Sequence, residues 1–180
     1  MTVYIALIRG INVGGKNKVP MAELREVYEQ IGLTQVKTYI QSGNVVLASE
    51  LSAEELRPQL EKAILDRFGI AAAVAVRTAA ELDSLMARCP YDAQALQEKQ
   101  TIQVAFLTEP LSAKALSVLE ANKVDPDEYT LTDSEIYFLF RQSMLDSKLA
   151  NSLQKIGKTM TMRNWNTVVK LADLGRTITG

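Results

Sequence analysis

The 180-residue sequence predicts an α+β protein of duplicated ferredoxin-like (βαββαβ) halves with antiparallel sheets and extra helices. Three observations carry that expectation. Short β-branched runs alternate with segments whose apolar residues recur at helical spacing. A tight hairpin occupies the same place in each half, at Ser42-Gly43 and at Asp133-Ser134. A polar stretch, 91–101, divides the chain, so 1–90 reads β-α-β-β-α-β plus a helix and 91–180 reads β-α-β-β-α-α, whether as two units or packed as one.

Val3 to Ile8 (VYIALI) is continuously apolar, as a strand buried on both faces requires. A loop, RGINVGGKNKV, runs from Arg9 to Val19, and Pro20 begins a helix well because a first-turn proline loses no needed N–H. Met21, Leu24, Val27, Tyr28 and Ile31 give that helix one apolar face, and Gly32 ends it. Val36–Gln41 and Asn44–Ala48 read as hairpin strands. Ser52 with Glu55 forms a capping box for a helix carrying Leu56, Leu60, Ile64 and Phe68, inside which Pro58 should kink the helix or move its start. Ala72–Val76 is a strand, and Thr78 with Glu81 caps a helix with Leu82, Leu85, Met86 and Cys89 on one face.

In the second half, Ile102–Leu107 reads as a strand and Ser112–Asn122 as a helix. Tyr129–Thr132 and Ile136–Phe140 form the hairpin. A helix capped by Asp146 or Ser147 closes at Gly157, and a last one, about Asn164 to Leu174, closes at Gly175.

Composition narrows the chemistry. With no histidine, every Ser-His-Asp or Cys-His mechanism and every His-ligated metal site is excluded. The single cysteine, Cys89, excludes an internal disulfide and a thiolate zinc site. No metal and no cofactor is expected. The longest wholly apolar run, Ile70 to Val76, is far below the roughly 20 residues that span a bilayer. A cytoplasmic protein with no membrane association is the expectation. The net charge is −1, but residues 1–20 and 147–180 together carry +8 and residues 21–146 carry −9. Basic chain ends of that kind attract anions.

Three constellations bear chemistry. Arg9, Gly10, Asn12, Gly14, Gly15, Lys16 and Lys18 lie in a glycine-rich basic loop. Gly10 to Asn17 matches G-x-x-x-x-G-K but ends in Asn17, which lacks the hydroxyl a P-loop uses for magnesium, and the helix starts too late. What remains is a loop whose glycines let backbone N–H groups converge and whose cations suit phosphate or carboxylate. Ser42 and Asn44 flank the first hairpin turn, where turn formation competes with ligand binding as their role. Arg163 and Asn164 fall at the expected start of the last helix, whose dipole favours an anion, beside Trp165, a core anchor or a stacking surface. An RNA-recognition sheet needs exposed aromatics, and the central strands offer only Tyr4, so nucleic acid is the weaker partner class.

The segments RGINVGGKNKVPMAEL, TYIQSGNVV and RNWNTVVKL resemble the domain of unknown function 1697 family across nearly the whole chain. The resemblance implies a bacterial α+β, ferredoxin-like protein with no established activity. It matches Arg9, Gly10, Asn12, Gly14, Gly15 and Lys16 to the first motif, Ser42, Gly43 and Asn44 to the second, and Arg163 to Thr167 to the third. The family often has Thr before the third-motif arginine, where this chain has Met162.

The functional expectation is binding of a small anionic ligand, phosphate-bearing or carboxylate, at loop 9–18, joined by the 42–44 hairpin and the Arg163-Asn164 segment. The alternatives are a small phosphoryl- or acyl-group hydrolase or transferase, with Arg9 and loop N–H groups binding charge that develops on oxygen, and a protein-interaction module.

Overall fold

A computed structural model describes residues 1–178. They contain two four-stranded antiparallel sheets, each with its first strand in the interior. The compact units are Met1–Ala87 together with the residues from Val169 onward, and Arg88–Val168.

In the first unit the apolar run becomes β1 (Thr2–Ile8), paired with β3 (Asn44–Ser49) on one side and β4 (Val74–Thr78) on the other, with β2 (Thr34–Tyr39) outside β3. The order β2-β3-β1-β4 is that of a ferredoxin-like sheet. Helices α1 (Met21–Gln30) and α2 (Ala53–Phe68) cover one face, burying Tyr4, Ala6 and Ile8 against Leu24, Tyr28, Leu60 and Ile64. Pro20 stands just before α1, where its carbonyl accepts from Leu24 N–H at 3.0 Å. Ser52 and Glu55 close their capping box, so Pro58 does not move the start of α2. Thr78 and Glu81 cap α3 (Ala79–Ala87) in the same reciprocal way, at 3.0 and 2.8 Å.

The second unit repeats the plan. β5 (Thr101–Leu107) is flanked by β7 (Glu135–Phe140) and β8 (Met160–Asn164), with β6 (Glu128–Leu131) outside β7. Helix α4 (Ala113–Ala121) and the short α5 (Lys148–Ser152), extended by a 3-10 turn at Leu153–Lys155, bury Leu119, Leu149 and Leu153 against Ala105, Phe138 and Phe140. β8 corrects the expected β-α-β-β-α-α order: this half is also βαββαβ. Met160 and Met162 alternate onto the core face of β8, a pattern too short and too weak in β-propensity to show beside strong helix-start residues.

Helix α6 (Trp165–Arg176) follows. Gly175, expected to terminate it, lies inside it, where a Cβ would meet Ala79 Cβ at 3.5 Å. No helix among the described residues is long and apolar enough to cross a membrane.

The halves match at the level of single bonds. Tyr4 pairs with Leu47 and Thr78, and Gln103 pairs with Phe138 and Asn164. At the ends of these strands Ile8 N–H donates to Gly43 O at 2.8 Å and Arg9 N–H to Ala73 O at 2.9 Å. Leu107 N–H donates to Ser134 O at 2.9 Å and Thr108 N–H to Thr159 O at 2.8 Å. Arg77 and Arg163, in matching register, each donate to the preceding carbonyl, at 3.0 and 2.9 Å.

Tyr28 is fully buried, and its hydroxyl has no hydrogen-bond partner among the described residues. Burial, with the Glu61 charge adding to it, pushes the phenol far above its ordinary pKa. Tyr28→Phe therefore removes an unsatisfied polar group without changing the ring. Urea unfolding is expected to show a gain of about 1 kcal/mol, and a loss would mean the hydroxyl is satisfied in solution.

Candidate functional site

The glycine-rich loop leaves β1 at a fixed exit, because Ile8 and Arg9 are bonded to strands on both sides. Two asparagines then fold it on itself. Asn12 adopts a positive φ of 56°, which asparagine tolerates better than most residues. Its Oδ1 accepts from Val19 N–H at 2.7 Å, and its Nδ2 donates to Val19 O at 2.9 Å and to Gln41 O at 2.7 Å. Asn17, at φ 52°, donates from Nδ2 to Gly10 O at 3.0 Å while its own carbonyl accepts from Asn12 N–H. Val13 to Lys16 close a tight turn with Gly14 and Gly15 both at positive φ, as a primed turn demands. Ile11 and Val19 bury the base of the loop in the core. Its tip, Val13 to Lys18, is exposed.

The 42–44 hairpin is held beside this loop. Gly43 sits so close that a Cβ would lie 2.9 Å from Ile8 O and 3.0 Å from Ile11 Cγ1, and its φ is +83°. Asn44 is fully buried; its Nδ2 donates to Ser42 Oγ at 2.9 Å and to Tyr39 O at 3.2 Å. Ser42 and Asn44 thus shape the turn. The residue before Gln41, Ile40, is β-branched yet held at φ 49° with 52% of its surface exposed. A conformation that costly is a known mark of functional loops.

The structure therefore brings loop 9–18 and the hairpin together. The lysines are its free cations: Lys16 and Lys18 are exposed and have no ion pair or side-chain hydrogen bond among the described residues. Arg9 is half-buried and engaged. Sequence reasoning passed over the structural weight of Asn17 and Gln41, for which the chain offers no local signal.

Arg163 and Asn164 belong to the second unit. They were expected in the first turn of the last helix, but both stand on β8. Arg163 pairs with Val104, and burial lowers its guanidinium to about 10. Asn164 precedes α6, and its Oδ1 accepts from Thr167 N–H at 2.8 Å as a helix cap. Tyr4 is buried in the core, its hydroxyl donating to Leu51 O at 2.7 Å, so it offers no stacking face to RNA.

Fold and loop together define a duplicated ferredoxin-like protein whose first copy carries an elaborated basic loop. The chain belongs to the family described as "Protein of unknown function (DUF1697)", whose model matches residues 1–137. That span includes the loop and hairpin motifs, and the Arg163–Thr167 motif lies beyond it. The chain is also similar to a conserved bacterial protein from Streptococcus pneumoniae, at 27% identity and a TM-score of 0.80, covering 97% of this chain and 98% of that one. No curated protein matches.

Gly43→Ala adds a Cβ against backbone and forces an alanine to positive φ. It is expected to cost more than about 2 kcal/mol in urea unfolding, with the 40–44 amides losing hydrogen-exchange protection first. A loss below about 0.5 kcal/mol would show that hairpin and loop separate easily.

Proposed function

We propose that the protein binds a small anionic ligand, phosphate-bearing or carboxylate, at loop 9–18. The observation that carries this is that Lys16 and Lys18 are exposed and unpaired among the described residues, on a loop whose backbone is tied down by Asn12 and Asn17. A free, mobile lysine binds anions weakly because ordering it costs entropy. Here the ordering of the backbone is already done in the fold.

The second copy supplies a control. It joins β5 to α4 through residues 108–112, whereas the first joins β1 to α1 through residues 9–20. The fold closes with the shorter connection, so the extra length has another purpose. Exposed Val13 and Ile40, chain neighbours of the bonded pair Asn12 and Gln41, would meet an apolar part of the ligand.

The test is thermal unfolding with ATP, a sugar phosphate, citrate and a short oligonucleotide, run on wild type and on the Lys16→Ala, Lys18→Ala double variant. A ligand at a hundred times its Kd adds about 2.7 kcal/mol to stability. The expected result is a shift with at least one anion that the double variant loses while its unliganded Tm stays within a few degrees. No shift with any of them, or one unchanged in the variant, overturns the reading. A steep fall of affinity with salt would assign the ligand to nucleic acid, which contacts many phosphates at once.

A further inference from the structure

The second unit holds a cleft of about 240 Å³ that the loop proposal does not use. Two segments distant in sequence line it: the stretch from Ala93 to Gln103, and the β8–α6 junction Asn164-Trp165-Asn166. Antiparallel pairing sets Gln103 directly opposite Asn164, so their side chains share one face of the sheet.

The lining is unusual for its donors. It contains four carboxamides, Gln100, Gln103, Asn164 and Asn166, and no charged side chain. Two of the amides have an assigned orientation. Gln100 Oε1 accepts from Gln97 N–H at 2.9 Å and Asn164 Oδ1 from Thr167 N–H. Only oxygen can accept those bonds, so each presents its NH2 elsewhere, and neither NH2 has a partner among the described residues. Trp165, the chain's single tryptophan, is half-buried on the same wall.

The first copy shows that the fold does not require this opening. By strand register Tyr4 occupies there the place of Gln103, and its ring fills the core.

We propose that this cleft binds one uncharged, oxo-bearing nucleobase, with Gln100 and Asn164 donating to its carbonyl oxygens, Gln103 and Asn166 meeting the rest of its edge, and Trp165 offering an aromatic surface. Amide side chains read base edges through paired donor and acceptor groups, and any base can stack on an aromatic ring. The volume lies below that of drug-sized sites, which suits one ring system. Uncharged walls give no reward to a phosphate. The site belongs to the second unit, so it stands or falls separately from the lysine loop.

The single indole N–H gives a direct readout. In nitrogen–proton correlation spectra of the whole protein, uridine and guanosine at millimolar concentration are expected to move the Trp165 indole peak saturably. Uridine monophosphate should bind within about threefold of uridine. Gln103→Ala should weaken binding about tenfold while Tm stays within a few degrees. Asn166→Ala provides a second variant with the same expected loss. A short oligouridylate binding far more tightly than uridine would identify a single strand as the source of the base, and equal affinity would identify the free nucleoside. The proposal is overturned if no nucleoside moves the peak, if both variants bind as wild type does, or if methyl glucoside and N-acetylglucosamine move it while nucleosides do not.

Discussion

The bonding of each central strand on both sides is the constraint from which the rest of the structure follows. β1 and β5 each sit between two antiparallel neighbours, and the last residue of each strand and the residue after it are bonded to opposite sides. A strand held in this way cannot slip by one residue without exchanging the side chains on its two faces. The chain therefore leaves β1 at a fixed place and direction. Ile8 and Arg9 are tied to Gly43 and Ala73, and the loop inherits that rigidity before its own side chains contribute.

Duplication makes the functional residues easier to separate from the structural ones. Features present in both copies serve the fold: the double tie at the end of the first strand, the arginine at the end of the fourth that bonds its own preceding carbonyl, and the polar cap before the helix that follows. Features present in one copy need another explanation. The first copy alone has the long β1–α1 loop, and the register position of Gln103 in the second copy is held in the first by Tyr4, buried in the core. By this criterion Arg77 and Arg163 are paired structural elements. The lysines at positions 16 and 18 have no counterpart.

Local physics made much of the fold legible in the sequence. Capping boxes at Ser52 and Thr78, the hairpin glycine at 43 and the apolar run of β1 are signals contained within a few residues, and each appears where expected. The misses were tertiary. β8 has only five residues, with Thr161 its single β-branched one, so the helix caps beside it dominated the pattern. Gly175 reads as a terminator from sequence, but the helix continues through it. For the candidate site, the glycines and cations were visible as a motif. Asn12 reaching Gln41, 29 positions away, was not, because nothing in either neighbourhood encodes the other.

Both proposed sites solve the same energetic problem in opposite ways. An exposed cation loses little to desolvation, so what limits its affinity is the disorder of the chain that carries it. The first copy answers with two asparagines that hold the backbone while leaving Lys16 and Lys18 in water. An amide held by a bond to its own oxygen is already oriented, and its NH2 has only water to exchange for a ligand. In the second copy Gln100 and Asn164 are held in this way. A ligand for the lysine loop is thus selected by charge, and one for the cleft by the pattern of its acceptors. Salt should weaken the first interaction and leave the second nearly unchanged.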